Sequence, residues 1–432
     1  AADLAPYYDH NQDGSYNPYD GDFPLIRGDQ AIYFLRNDDR DVHNESGGEK
    51  LGIEIHGMAY AFACSPDSAL NNTIFVNYQI VNRSGNTYDS TIIGMNFDPD
   101  IGAYQDDYIG SDVARSTAFA YNGPAIDGSG APNHYGANPP AQGMTILKGP
   151  LMDADGMDNP AGGCDESVNG LGFGDGITDN ERFGMTNFLF YCNPGVGGCN
   201  GTIQGDPATS VNYYSYLRGY WKDGSRMVYG GNGHVSNCTS CEFANFMFPG
   251  DSDPCNWSTG GIQPAADTVL WDEVSALNQA NDRRGIASAG SFTFEAGDTV
   301  ELEVAYVFGR DYLATSPSAS VTVMKERIDS IRSYYDNDLS PCGSFTLDLA
   351  EESEMGSSIT IFPNPAKDML TIKSVKSLKN VQYGIYDLLG KTIKKGYLPL
   401  SGKLNIYEIP KGIFILKVED LKHSYHQKFI KM

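Results

Sequence analysis

The 432-residue sequence has no run of about 18 apolar residues, little tryptophan and none of the common catalytic motifs. Without such a run, no segment is predicted to span a membrane. Three tryptophans are a small supply for a sugar-stacking cleft. HExxH, a GxSxG elbow between strand and helix, and a phosphate-binding loop are all missing. These absences predict a protein that is not an enzyme and does not insert into membranes.

Charge is divided unevenly along the chain. Residues 1–356 hold 17 basic and 50 acidic residues, a net charge of −33, whereas residues 357–432 hold 13 Lys, no Arg and 5 acidic residues, a net charge of +8. The acidic part would repel nucleic acid. An acidic body and a basic tail predict two domains. Docking of one chain's tail on its neighbour's body, which would build a head-to-tail homo-polymer, is a further hypothesis.

All eight cysteines lie in the acidic body and none in the tail. An even number in an exported protein predicts structural disulfides, although eight cysteines allow 105 pairings. Cys192 and Cys199 flank a glycine-rich loop and are expected to pair with each other. Cys238 and Cys241 form the one CxxC, for which a disulfide is favoured over a zinc site or free thiols.

The last 75 or so residues alternate apolar and polar positions in six or seven short segments, which predicts a small antiparallel sandwich. Four motifs in this part, ending at the last residue, resemble the type A C-terminal sorting domain of the type IX secretion system of the Bacteroidota. The motif residues are Pro363, Asn364, Pro365, Asp368, Gly412, Lys417 and Lys428. The resemblance implies that the secretion machinery is a partner and that the protein is secreted or attached to the outer cell surface.

Strand patterns also dominate the body. β-Branched and aromatic residues alternate with polar ones in segments 31–35, 51–62, 73–81, 91–97, 290–294 and 299–308. The fold class is therefore predicted as mainly β: a calcium-loop-rich β-sandwich body, plus a small immunoglobulin-like C-terminal sandwich. The body sandwich is expected from residues 30–120 and 285–310. A long disulfide-stapled insertion at about 122–282 would separate the two halves.

The predicted division of the chain follows from these patterns. Residues 1–29 are predicted to form an N-terminal calcium-loop segment, and residues 30–342 a body with an amphipathic helix at about 317–336. Residues 343–356 form an acidic linker, and residues 357–432 form the sorting domain. The body segments 104–110, 246–251 and 282–284 resemble recurring phrases of uncharacterised extracellular proteins of the same group, and no activity accompanies that resemblance.

Acidic residues cluster with glycine and asparagine in three loops, which predicts structural Ca²⁺. The first loop has the oxygen spacing of an EF-hand loop around Gly14, and it resembles the loops of dockerins and thrombospondin type 3 repeats. The candidate ligands are Asp9, Asn11, Asp13, Ser15, Asn17 and Asp20; then Asp98, Asp100, Asp106, Asp107 and Asp112; then Asp153, Asp155, Asp158, Asp175, Asp179 and Glu181. A solvated acidic loop without metal is the alternative for each cluster.

These features predict a secreted cell-surface protein with a structural or adhesive role, possibly as a fibre subunit. A calcium-dependent extracellular hydrolase and a carbohydrate-binding module are the alternatives. Two carboxylates beside aromatic walls would favour the hydrolase. His56 lies in a strand pattern, where a residue on the face of a sheet is favoured over a catalytic base.

Overall fold

The computed structural model divides into two compact units, residues 1–345 and 346–432. It describes residues 5–11, 13–161, 169–192, 201–236, 238, 240–265, 270–343, 345, 359–374, 381–387, 391–399, 401–419 and 424–432. The fold is mainly β in both units, as predicted. The predicted linker falls largely outside the described residues. No helix in the described ranges is long and apolar enough to cross a membrane.

Sixteen strands and four α-helices are described in the first unit. The strands are β1 Tyr7–Tyr8, β2 Phe23–Pro24, β3 Gln30–Asn37, β4 Ile53–Ala61, β5 Thr73–Asn82, β6 Tyr88–Phe97, β7 Asp107–Asp112, β8 Thr117–Asn122, β9 Ile126–Asp127, β10 Gly136–Ala137, β11 Ala141–Lys148, β12 Gly170–Leu171, β13 Arg182–Phe183, β14 Asn187–Cys192, β15 Arg283–Phe294 and β16 Thr299–Gly309. The helices are α1 Ser68–Asn71, α2 Gly201–Gln204, α3 Ser210–Leu217 and α4 Pro317–Asp336.

Two sheets carry the architecture of this unit. Seven strands form an antiparallel sheet in the order β3-β4-β5-β16-β11-β8-β7, and three form a second sheet in the order β14-β15-β6. One hydrophobic cluster takes residues from both sheets, among them Phe97, Phe188, Ile146 and Val304. It also includes Trp221, which is fully buried. The core of the unit therefore lies between the two sheets.

A second hydrophobic cluster covers part of the opposite face of the seven-stranded sheet. Met324, Ile328 and Ile331 on α4 are fully buried and pack with Ala305 and with other residues of that face. Their spacing of four and three residues places them on one side of the helix. Helix α4 begins at a first-turn proline, as the sequence predicted. The alternation of strand side chains thus assigns Val304 to one core and Ala305 to the other.

The interval at about 122–282 is not a separate insertion. Strand β11 pairs with β8 and β16 in the middle of the seven-stranded sheet, and β14 pairs with β15 in the second sheet. The interval therefore supplies one strand to each of the two sheets. Sequence pattern missed them because neighbouring residues on each strand are buried on both faces, which removes the alternation of half-buried strands.

Disulfides link distant parts of the first unit. Cys64, which follows β4, pairs with Cys342, which follows α4, across 278 residues of sequence. Cys238 and Cys241 pair with each other, with their Cα atoms 5.5 Å apart. Cys192 is also in a disulfide, but Cys199 lies outside the described residues, so their pairing with each other stays a prediction.

Seven strands form the described part of the second unit. They are β17 Ile359–Phe362, β18 Met369–Ser374, β19 Gln382–Tyr386, β20 Thr392–Tyr397, β21 Lys403–Asn405, β22 Gly412–Glu419 and β23 Ser424–Lys431. They build two sheets, in the orders β17-β18-β21 and β20-β19-β22-β23. Residues of both sheets share one hydrophobic cluster, which includes Leu370, Leu416 and Phe429, all fully buried. This unit has its own core.

Candidate functional site

Polar side chains form a row across one face of the seven-stranded sheet. His56 on β4 lies opposite Gln79 on β5, and Gln79 lies opposite Glu301 on β16. Cross-strand partners in an antiparallel sheet point to the same face, so these three side chains are neighbours. Tyr33 on β3 extends the row at one end and Lys148 on β11 at the other. We call these five residues the polar row.

One end of the row is a chain of hydrogen bonds. His56 Nε2 lies 2.7 Å from Glu54 Oε1, and His56 Nδ1 lies 2.6 Å from the Tyr33 hydroxyl. An ionised carboxylate can only accept, so Nε2 carries the proton and Nδ1 accepts the Tyr33 O–H. Arg83 Nη2 donates to Glu54 at 2.8 Å. Hydrogen bonds from His56 and Arg83 lower the pKa of Glu54, which keeps it ionised.

Cations mark the other end. Lys148 donates to Glu301, and Arg182 Nη2 lies 3.8 Å from the same carboxylate. Burial alone would raise the pKa of Glu301, but the hydrogen bond and charge of Lys148, together with the charge of Arg182, lower it. Lys148 and Arg182 stay partly exposed, with 29% and 19% of their side-chain surface accessible. They can therefore contact a ligand laid across the sheet.

A buried network supports the row from the next position on β16. Glu303 is 1% exposed and accepts hydrogen bonds from Tyr60 at 2.7 Å, Asn77 at 2.7 Å and Arg27 at 3.0 Å. Burial raises the pKa of Glu303, and the charge of Arg27 opposes this effect. Because the carboxylate is fully partnered, we assign it a structural role.

The charge of this face differs from that of the whole body. Arg27, Arg83, Lys148 and Arg182 face the carboxylates of Glu54, Glu301 and Glu303. Four cations against three anions is a near balance, in a body with almost three acidic residues for every basic one. These four cations can offset part of the repulsion that an anionic ligand would meet on the acidic body.

An apolar groove of about 800 Å³ opens on the other face of β4. Ile53 and Ile55, which alternate with Glu54 and His56 along the strand, line it. Tyr213 and Tyr214 of α3 form part of its wall, each a little over one-third exposed. The groove and the polar row thus lie on opposite faces and are separate candidate sites.

The structure keeps the first predicted calcium loop together. Asp9 accepts the backbone N–H of Gly14 at 2.7 Å, Asp13 accepts that of Ser15 at 2.8 Å, and Asn17 donates to Asp20 at 2.6 Å. Asn11 donates to Asp13 at 3.0 Å, and Gly14 has a φ of +76°. Calcium at this loop stays a prediction.

The second predicted cluster separates into three places. Asp98 and Asp100 lie with Asp282, each offering an oxygen within 4.8 Å of the others. Asp106 and Asp107 lie at the start of β7. Asp112 is fully buried and pairs with Arg115 and Lys325, each at 3.1 Å. Asp112 already has two cationic partners.

In the third cluster, two loops hydrogen-bond to each other. Asp179 accepts the backbone N–H groups of Asp155 and Gly156 at 2.8 Å, and Asp158 accepts those of Gly174 and Gly176 at 2.8 Å. The remaining candidates bond nearby: Asp153 accepts from Thr293, Asp175 from Ile177 and Glu181 from Asn159. Asp153 therefore faces β15 rather than the loops, and calcium here too stays a prediction.

The predicted sorting motif joins the two ends of the second unit. Asn364 donates to the carbonyl of Lys428 at 3.1 Å and accepts the N–H of Ile430 at 2.9 Å. The Ala366 N–H donates to the carbonyl of Ile430 at 2.7 Å, and its carbonyl accepts the N–H of Met432 at 2.9 Å. Gly412 and Lys417 lie on β22, between β19 and β23. The Pro-Asn-Pro segment is thus hydrogen-bonded to β23, the last strand.

Comparison with known proteins identifies the second unit. Residues 360–432 match the family described as "Secretion system C-terminal sorting domain". The second unit is a type IX secretion sorting domain. The predicted partner is therefore the type IX machinery, and the chain is exported to the outer cell surface, where it is released or attached. The match covers the tail and leaves the family of the first unit open.

Two lyases are similar to parts of this chain. The endo-acting ulvan lyase of Formosa agariphila is 33% identical over 90 residues, which are 20% of this chain and 17% of that protein. A solved polysaccharide lyase is 6% identical, with a TM-score of 0.23 over 94% of this chain and 40% of that one. This TM-score is too low to indicate a shared fold. The chain thus spans a small part of the curated relative that it matches.

The prediction that the protein is not an enzyme is corrected by the ulvan lyase match. Catalytic motifs have fixed sequence spacing, whereas residues that meet across two strands, such as Tyr33, His56 and Glu54, do not. Neither Tyr33 nor Glu54 is a candidate site residue by sequence pattern, and His56 is predicted to lie on the face of a sheet. Its position on that face is what brings it to the tyrosine.

Proposed function

We propose that the chain is an exported enzyme that cleaves an anionic extracellular polysaccharide at the polar row. The observation that carries the proposal is the hydrogen-bonded chain from Tyr33 through His56 to Glu54. It has the order expected for acid–base catalysis: a reacting group, a base and a residue that orients the base. The ulvan lyase match supports polysaccharide as the class of substrate.

An elimination gives each residue a balanced role. Tyr33 passes its proton to His56 Nδ1, and the resulting phenolate removes the C–H proton beside a uronate carboxylate. The electron pair forms a carbon–carbon double bond, and the glycosidic C–O bond breaks. The proton on His56 or Tyr33 then neutralises the leaving oxygen. Glu54 stabilises the imidazolium, and Lys148 with Arg182, at the other end of the polar row, attracts the charge of a different uronate of the same polymer.

An activity assay on the full-length protein tests the proposal. Purified chain is incubated with ulvan, other uronate-containing polysaccharides and neutral polysaccharides. We expect products with the ultraviolet absorbance of a new double bond from an anionic substrate. Saturated reducing ends would instead support the hydrolase, and binding without cleavage would support a carbohydrate-binding module. The absence of both products and of binding would contradict the proposal.

Assembly into a homo-polymer through the opposite charges of body and tail stays a hypothesis. Its support is the charge division alone. Light scattering of the full chain at low salt tests it, and a monomer at every concentration would end it.

A further inference from the structure

Three neighbouring residues where β7 begins and β8 ends each have a buried oxygen without a hydrogen-bond partner in the described part of the chain. Asp107 and Asn122 are cross-strand partners and are fully buried, and Asp106 immediately precedes Asp107. The Oδ1 atom of each of these three residues has no partner within the described part of the chain. A buried polar atom without a partner destabilises the folded state. Three on neighbouring residues therefore indicate a missing partner.

The other polar atoms of these side chains are occupied, which fixes their orientation. Asp107 Oδ2 accepts the N–H of Ile101 at 2.9 Å, and Asp106 Oδ2 accepts that of Gly128 at 2.9 Å. Asn122 Nδ2 donates to the carbonyl of Pro124 at 2.7 Å. The free atom of the amide is therefore its oxygen. All three unpartnered atoms are acceptors, so a neighbouring polar hydrogen or a cation is what they lack.

A fourth carboxylate adds negative charge beside them. Asp127 is fully buried and accepts the backbone N–H groups of Ala103, at 2.8 Å, and Tyr135. Among the described residues, no lysine or arginine forms an ion pair with these three carboxylates.

We propose that Asp106, Asp107 and Asn122 bind a hard divalent cation, Ca²⁺, through their Oδ1 atoms. Carboxylate and amide oxygens are the ligands that Ca²⁺ takes in proteins, and water or backbone carbonyls complete its shell. Asp127 supplies further charge through its position rather than through a free oxygen. Asp106 and Asp107 belong to the acidic loop that the sequence predicts. Asn122 and Asp127 come from β8 and β9, and only the fold brings them close to that loop.

The nearby group of Asp98, Asp100 and Asp282 is a weaker candidate. Asp98 and Asp100 are exposed, and Arg284 lies 3.3 Å from Asp98. A guanidinium already balances part of that charge.

The test compares full-length protein with the Asp107→Asn variant after removal of metal with EDTA. Calcium affinity is measured by calorimetry, bound ions by elemental analysis, and the unfolding midpoint with EDTA and with Ca²⁺. We expect Asp107→Asn to bind fewer ions and to lose part of the rise in melting temperature that Ca²⁺ gives the parent. In EDTA the variant should melt no lower than the parent, because it carries one buried like charge fewer.

Asp39→Asn is the matched control, since the Asp39 side chain is 83% exposed and contacts Lys50. It should keep the calcium response of the parent. If Asp107→Asn fails to fold, Asn122→Asp takes its place: the added carboxylate should tighten calcium binding and lower stability in EDTA. Parental ion content and response in the tested variant would overturn the proposal.

Discussion

Glu54 connects the catalytic proposal to the stability of the sheet. It accepts hydrogen bonds from His56 on its own strand and from Arg83 beyond the end of β5. Its side chain is only 14% exposed, so solvent screens these contacts less than it would on an open surface. Glu54 therefore holds the imidazole of His56 in place and links β4 to the chain that follows β5.

We predict that Glu54→Gln makes the free energy of unfolding depend less on pH in the acid range. The pKa of Glu54 is lowered in the folded state from an ordinary value of 4.5, so its stabilising effect is present above that pH. The effect is lost as the pH falls through the lower folded-state pKa. We expect a contribution of about 0.5–1 kcal/mol, because Arg83 is half exposed. Melting curves across this pH range check it, and identical profiles for parent and variant would contradict it.

The sequence could supply only part of this site at the residue scale. Period-two alternation places Glu54 and His56 on one face of β4, which needs no structure. Tyr33 joins them only through the register of β3 on β4, in which His56 lies opposite Leu35. Register depends on the packing of whole strands, so a local pattern could not show the contact.

At the scale of elements, β22 is an inner strand of the four-stranded sheet of the sorting domain. It pairs with β19 on one side and β23 on the other. Leu416 is fully buried in the shared core, whereas Ile413 on the same strand is 42% exposed. Alternation along the chain indicated this strand correctly, because one of its faces is buried and the other is not. The central strands β11 and β14 lack that contrast and were missed.

We predict that Leu416→Ala destabilises the sorting domain by about 2–5 kcal/mol, as for other large-to-small changes in a core. Ile413→Ala is the matched control and should cost much less. The measurement is the amount of full-length protein on the cell surface of the exporting host, with unfolding of the purified variants alongside. Equal loss for both variants would show that burial does not explain the effect.

The whole molecule combines an acidic body with a basic sorting domain. The sorting domain determines where the protein goes, and nothing in it determines what the body does. Its motifs could be identified from sequence because their order and spacing are local. The body's site could not, because its residues come from β3, β4, β5, β11 and β16, which are far apart in the chain.

We predict that deletion of residues 346–432 leaves the body folded but not exported. The body has its own cores and its own disulfide between Cys64 and Cys342, none of which uses the deleted residues. The truncated protein should accumulate in the periplasm of its host, with a melting curve close to that of the body in the full chain. Normal display of the truncated protein on the surface would contradict the role of the sorting domain.

The central claim is that Tyr33 takes part in catalysis, and the Tyr33→Phe variant of the full-length protein tests it most directly. The change removes one hydroxyl and keeps the ring, so the sheet should remain intact. Tyr19→Phe, at a side chain that is 96% exposed, is the control. On the anionic polysaccharide that the parent cleaves, we predict a loss of turnover of about 10²–10⁴-fold for Tyr33→Phe and none for the control. Equal turnover by parent and Tyr33→Phe would contradict the account.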